Sequence, residues 1–213
     1  MSSCARSLDG AVDHPRILGA SIVRMGTVTS TMDIVRQLER LGAAEGITVI
    51  AASQTRGRGR AGRSWQSPES AGLYCSILLR PRISPYRFQP FSIAVGLALC
   101  EALDPDQQIG LRLKWPNDIV YQEKKLAGIL LTTSLGGALV ESAILGIGLN
   151  LHPDTARPDH AISLTEIPGS NPAAVGPLFG SIPRVIGVRY DALLCAGPER
   201  ALAGADGRLA FPR

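Results

Sequence analysis

Little in the sequence marks a secreted, membrane-spanning or metal-built protein. Its four cysteines, at positions 4, 75, 100 and 195, form no CxxC pair or other metal or redox spacing. Cys75 and Cys100 sit inside apolar runs, so buried, reduced thiols are expected rather than disulfides. The three histidines, His14, His152 and His160, form no HExxH-type cluster. No apolar run reaches the roughly 20 residues that cross a bilayer. The opening "MSSCARSLDGAVDHPR" lacks the apolar segment of a signal peptide. A cytoplasmic chain with no membrane partner is therefore expected. A Walker loop, GxxxxGK[ST], is also missing, and so is a dinucleotide fingerprint leading into a helix.

What is present is a charge excess in one place. The 213 residues carry 22 basic and 18 acidic side chains, a net charge of +4. The segment "QTRGRGRAGRSW" (54–65) holds four arginines and three glycines in positions 56–63. Without Arg56, Arg58, Arg60 and Arg63 the chain is neutral, 18 against 18. That favours a local anion site over a broad nucleic-acid face. Glycines let backbone N–H groups turn toward an anion, and arginines offer forked donors matched to phosphate oxygens. A solvated basic turn or an RGG-like RNA contact is the other reading of the loop alone, although it lacks interleaved aromatics.

The composition, 45% hydrophobic and 19% charged, suits one domain with room for a small second one. "ILGASIVRMGTV" (17–28) reads as extended. In the next segment Ile34, Val35, Leu38 and Leu41 share one helical face, Ser30 and Asp33 resemble a capping box, and Gly42 stands at the stop, which predicts a helix near 31–41. "ITVIAAS" (47–53) and "LYCSILLR" (73–80) read as strands, and "FQPFSIAVGLALCEAL" (88–103) as a helix covered on most sides. "IGLRLKW" (109–115) alternates, with Ile109, Leu111, Leu113 and Trp115 on one face, before a turn at Pro116-Asn117-Asp118. "LAGILLTT" (126–133) and "LVESAILGIGLN" (139–150) read as two strands around a glycine turn, 152–160 as loop, and 172–195 as a helix. The expected fold class is α+β, with a mixed, largely antiparallel sheet and flanking helices.

Two further clusters carry chemistry. "KWPNDIV" (114–120) places Lys114 on a strand, with Asn117 and Asp118 at its end. Lysine to phosphate, with Asn and Asp to a base or Mg2+, is one use of it, and a plain turn is the other. "KKLAGIL" (124–130) starts a buried-looking strand with two lysines, suited to a developing negative charge or to an edge strand.

Taken together and in order, "TSTMD" (29–33), "QTRGRGRAGRSW", "GLYCSILLRP" (72–81), "KWPNDIV", "KKLAGIL" and "GIGLN" (146–150) resemble the biotin–protein ligases, over roughly residues 20–165. The resemblance implies a catalytic domain of the class II aminoacyl-tRNA synthetase and biotin ligase type. It implies that biotin and ATP, with accompanying Mg2+, give biotinyl-5′-AMP and pyrophosphate, and that a carrier-protein lysine then takes the biotinyl group. By this likeness Lys125 and Arg60 are the catalytic candidates. Ser30, Thr31, Met32, Gln54, Gly57, Arg58, Gly59, Arg60, Lys125 and Gly128 fall to biotin, with Met32 where relatives often carry Asn. Arg58, Arg60, Arg63, Trp65, Lys114, Asn117, Asp118 and Asn150 fall to ATP and the adenylate, with the metal expected near Asp118.

The expected partner is the biotin carboxyl carrier protein of a carboxylase, and a homodimer is an open expectation. Residues 1–16 are expected to be a flexible start, 17–167 the catalytic domain, and 168–213 a linking helix with a shortened or absent SH3-like barrel. Too few residues precede the match for a helix-turn-helix, so no DNA binding is expected. A lipoate–protein ligase and a biotin- or adenylate-binding protein without transfer are the alternatives.

Overall fold

The computed structural model describes residues 18–154, 157–171, 175–205 and 207–210. The expectations for residues 1–16, with Cys4 and His14, lie outside them. Strands β1 (Ile22–Val28), β2 (Thr48–Gln54), β3 (Gly72–Leu79), β4 (Arg112–Lys114), β5 (Asp118–Tyr121), β6 (Lys124–Gly136), β7 (Leu139–Asn150) and β8 (Leu209–Ala210) form one sheet. Their order is β1-β2-β3-β7-β6-β5-β4-β8. Only the outermost pairs, β1 with β2 and β4 with β8, are parallel. The sheet is thus mixed and largely antiparallel, as its hairpin-forming strands predict.

The two faces of the sheet are covered differently. Helices α3 (Phe91–Leu103) and α4 (Val175–Ala196) stack on one face. Phe91, Val95 and Leu99 of α3, and Ile182, Ile186, Tyr190 and Leu193 of α4, share a core with Leu73, Ile77, Leu145, Ile147 and Leu149 of the strands. A helix apolar all round is stable only when covered on both sides, and α3 lies between sheet and α4 for that reason. The short helix α2 (Pro85–Phe88) precedes α3, and α5 (Pro198–Ala201) follows α4. The predicted helix at 88–103 is therefore two helices, broken at Pro90.

Helix α1 (Thr31–Arg40) covers part of the other face through a small core of Met32, Val35, Val49, Leu78 and Ile144. Ser30 caps it, its hydroxyl accepting the Met32 N–H at 3.3 Å, and the chain leaves at Gly42 with φ +83°. Asp33 does not complete the expected capping box; its carboxylate faces Arg58 instead. The face beyond the N-terminus of α1 is left uncovered by any helix.

One buried carboxylate holds the turn after α3. Asp104 accepts the backbone N–H groups of Ile109, Gly110 and Leu111 at 3.1, 2.9 and 3.1 Å. Asp104→Ala strips these donors of their partner and is expected to lower stability by about 2 kcal/mol, read as a lower urea midpoint at unchanged slope.

Cys75 and Cys100 are buried as expected, and burial pushes both thiols up to about 12. Cys195 is exposed, at the end of α4 on the side turned away from the core. Among the described residues no helix is long and apolar enough to cross a membrane.

Candidate active site

The uncovered face has a floor built largely of glycine. Alternate residues of β6 and β7 point to it, and there the sequence places Gly128, Gly146 and Gly148. Gly128 and Gly148 are cross-strand neighbours, and Leu130 faces Gly146. Trp65 lies flat in the space the glycines leave. A Cβ on Gly148 would stand 2.4 Å from the indole Cε2, and one on Gly128 2.9 Å from Cζ3. Met32 fills the same kind of space over Gly146, where a Cβ would come within 2.9 Å of its Sδ. A larger residue at Gly148 or Gly128 would collide with the rigid indole, so glycine there is required by close approach rather than by turn geometry, whereas the flexible Met32 chain over Gly146 could shift.

A polar chain crosses one end of this floor. Ser76 and Thr31 hydroxyls lie 2.7 Å apart, and Thr31 donates its N–H and hydroxyl to Gln54 Oε1 at 2.8 and 3.2 Å. Gln54 Nε2 donates to Ser67 Oγ at 2.8 Å. If Thr31 donates to Gln54, Ser76 must donate to Thr31, which leaves the Ser76 lone pairs turned outward. Ser30, Thr31 and Met32 bring the N-terminus of α1 to the same place.

The arginine–glycine segment is ordered as a small hairpin over the floor. Arg56 N–H donates to Thr29 O at 2.8 Å, Trp65 N–H to Gly57 O at 2.9 Å, and Gly59 N–H to Arg63 O at 2.6 Å. Its tip, Arg60–Gly62, turns through Ala61 at φ +56° and Gly62 at φ +75°. Gly57 is pressed against the Trp65 carbonyl, where a Cβ would stand at 2.3 Å. Arg60 and Gly59 line the cleft, and Arg58 lines it while its guanidinium pairs with Asp33 at 2.6 Å.

Lys125 stands at the opposite end. Its Nζ is 2.7 Å from Asp118 and 5.2 Å from the centre of the Trp65 ring, so cation, carboxylate and π-face meet there. Both ionic side chains are about one-quarter exposed, 25% and 27%, and so remain within reach of a ligand. The backbone of Lys125 is fixed by neighbours: its N–H donates to His160 O at 2.8 Å, and its carbonyl accepts from Ile162 N–H at 2.9 Å. Asn150 Nδ2 donates to both Lys125 O and Ile162 O, at 3.3 and 3.2 Å, and clamps that loop to the strand. Asn117 Nδ2 donates to Ile129 O at 2.7 Å and lines the cleft from the turn before β5.

The cleft between these ends is narrow, with a free volume of about 40 Å3. A second cleft opens beyond Trp65 and Lys125, lined by Arg60, Arg63, Asn150, Arg157 and His160. Arg157 forks onto Glu166 at 2.5 and 3.0 Å, and together with Ser163 it holds that carboxyl down to about 2. Cys75 also borders the first cleft, but a thiol raised to about 12 stays protonated and offers no nucleophile.

The structure thus gathers Ser30, Thr31, Met32, Gln54, Arg58, Gly59, Arg60, Trp65, Asn117, Lys125 and Gly128 around one cleft. Asp118, Arg63 and Asn150 stand at its far rim. Lys114 is not among them: its ammonium is held by Glu123 at 3.0 Å, on the outer side of the β4–β5 hairpin. Trp115 leaves the alternating pattern, 58% exposed, because the chain turns away at Pro116; it borders a separate groove of about 730 Å3 with Tyr86 and Pro116. Ser67, Ser76 and Arg157 were not singled out by sequence. Ser76 had a signal, a lone hydroxyl inside an apolar strand.

Comparison with known proteins agrees with this architecture. Residues 25–150, more than half of the chain, match the model of the biotin/lipoate A/B protein ligase family. The bifunctional ligase/repressor BirA of Bacillus spizizenii is 33% identical over 159 residues, 72% of this chain and 49% of the relative. The biotin–[acetyl-CoA-carboxylase] ligase of Paracoccus denitrificans is 38% identical over 120 residues, 53% of this chain and 49% of the relative. The chain thus spans about half the length of these curated relatives. Biotin protein ligase from Aquifex aeolicus, solved in complex with biotin and ATP, superposes with a TM-score of 0.71 at 29% identity, covering 89% of this chain and 78% of that one. The glycine floor, the arginine hairpin and the matched span lead to one assignment: the chain belongs to the biotin/lipoate A/B protein ligase family.

Proposed function

We propose that this chain adenylates biotin with MgATP and transfers the biotinyl group to a lysine of a biotin carboxyl carrier protein. The observation that carries the reading is the cleft's polarity: a hydrogen-bonding end at Thr31, Gln54 and Ser76, an apolar floor, and cations at the other end. A fused urea needs donors and acceptors at its closed end. The dithiolane of lipoate needs none, so the polar chain favours biotin over a lipoate ligase. Solved relatives from Aquifex aeolicus and Leishmania major hold biotin and ATP or biotinyl-5′-AMP, which supports the same ligand pair.

In this reading Ser30, Thr31, Gln54 and Ser76 bind the ureido ring, while Met32, Leu130 and Gly146 pack against its apolar body. Lys125 releases Asp118 and takes the ligand carboxylate and the α-phosphate. A carboxylate oxygen attacks α-phosphorus, the bond to the β-phosphate bridge oxygen breaks, and pyrophosphate leaves. Lys125 and Arg60 offset the charge of two like-charged reactants and stabilise what develops between them. Gly57, Gly59 and Arg58 hold the hairpin over the product. Trp65 and Asn150 shape the adenine side, with Arg63 toward the phosphates.

Magnesium arrives with ATP as part of the substrate. Among the described residues no cluster of three His, Cys, Asp or Glu could hold a metal by itself. Asp118, with Asn117 beside it, is the carboxylate near enough to serve a phosphate-bound ion. In the second step the carrier lysine, as free amine, attacks the acyl carbon and AMP leaves. A cytoplasmic setting accompanies this reading, because ATP is the co-substrate.

Transfer is tested by incubating the chain with biotin, MgATP and a carrier domain, and weighing the carrier. A single biotinyl adduct on its acceptor lysine is expected. Adenylate formation without any adduct would leave a binding protein that does not transfer. Arg60→Gly is expected to speed release of the adenylate about tenfold and to label unrelated lysines nearby. A chase experiment with unchanged release would contradict that role.

A further inference from the structure

The hairpin's cations do not all point at the cleft. Arg58 donates to Asp33, in the first turn of α1, at 2.6 Å. Asp33 belongs to the helix whose N-terminus borders the cleft, and Arg58 to the segment that covers it. We infer that Asp33 is a positioning residue: its carboxylate latches Arg58, and so fixes the arginine–glycine hairpin over the cleft.

Three observations support the latch. The backbone hydrogen bonds described for the hairpin either lie within it or fasten its base, as Thr55 and Arg56 do to Val28 and Thr29. None of them ties the tip, from Arg58 to Arg63, to another element of the fold. Arg58 is the residue of that span with an ion-pair partner on α1. Asp33 sits in the first turn of α1 but makes no cap hydrogen bond there; that bond is made by Ser30. A hairpin with four arginines repels itself and opens readily unless a fixed anion holds it. The pair is half in solvent, with side-chain exposures of 49% and 22%, so it is weak enough to break when ligand enters or leaves. The role in retaining adenylate rests on the proposed ligase activity; the closed position of the hairpin does not.

Trypsin reads the latch without ligand. The four arginines at 56–63 are its cleavage sites, and a closed hairpin protects them. Asp33→Asn is expected to raise the cleavage rate within 56–63 about threefold to fivefold, with the urea midpoint unchanged. Arg58→Gln should raise cleavage after Arg60 and Arg63 equally, and the double variant should be no faster than either. The swapped pair, Asp33→Arg with Arg58→Asp, should restore protection, which a general weakening of α1 would not allow. With biotin and MgATP, Asp33→Asn should then release adenylate about threefold faster at an unchanged rate of formation. Wild-type cleavage in Asp33→Asn, or a swapped pair no better protected than the single variants, overturns the latch. Because cleavage needs neither biotin nor ATP, those results stand whether or not the chain is a ligase.

Discussion

Lys125→Ala is expected to lower adenylate formation by about 10²–10³-fold, the usual loss when one donor aimed at developing charge is removed. Two effects add. The ammonium proposed to meet the ligand carboxylate and the α-phosphate disappears, and Asp118, deprived of its partner 2.7 Å away, turns an unpaired negative charge toward an anionic ligand. The second effect is separable. Asp118→Asn placed on Lys125→Ala should recover part of the loss, about threefold, by removing the repulsion without restoring the donor. Lys125 is one-quarter exposed and its backbone is held by His160, Ile162 and Asn150, so the fold should be unchanged. Single-turnover formation of adenylate, with circular dichroism as control, measures both points. A wild-type rate in Lys125→Ala would remove this residue from the chemistry.

The second large effect concerns the floor. Gly148→Val puts a branched side chain where the Trp65 indole lies, since even a Cβ there would approach Cε2 to 2.4 Å. The strand cannot yield, because Gly148 pairs with Tyr74 on one side and Gly128 on the other. The indole must therefore leave. The expected result is a loss of about 1–3 kcal/mol in stability, a red-shifted tryptophan emission, and at least a tenfold weaker grip on ATP. Trp65→Ala on the same background should return most of the stability but none of the nucleotide affinity. A Gly148→Val protein that binds ATP as wild type would show that the indole does not shape the nucleotide site.

How much of this could be read in the chain depends on the range of each interaction. Helix α1 and the β6–β7 hairpin were legible because their signals are local: a 3.6-residue apolar face with Ser30 before it, and two apolar runs around Gly136-Gly137. The arginine hairpin was legible as a charge anomaly, whereas its position over a cleft depends on contacts between distant segments. Strand β5 was not foreseen, since Asp118–Tyr121 is four residues long and starts inside what reads as a turn. β4 shrank to three residues for the related reason that the chain turns at Pro116, which also left Trp115 in solvent.

The site shows the same division. The family resemblance pointed to Lys125, Arg60 and Gln54, but not to their partners. Asp33 looked like a cap because its spacing from Ser30 fits one, whereas a long-range arginine claims it. Lys114 alternates onto a polar face that turns out to be the outer one, beside Glu123. Asn150 reads as a ligand contact; in the structure it lines the second cleft and also clamps Lys125 and Ile162. The Ser76–Thr31–Gln54–Ser67 chain joins segments up to 45 residues apart and has no local signature at all.

The central claim is that the cleft between Thr31 and Lys125 joins a carboxylate to the α-phosphate of ATP. The most direct test is exchange of labelled pyrophosphate into ATP by the purified chain, with biotin, with lipoate and with neither. Exchange that requires biotin, is absent with lipoate, and is lost in Lys125→Ala is the expected result. Exchange driven by lipoate instead, or none with biotin although biotin binds, would contradict it.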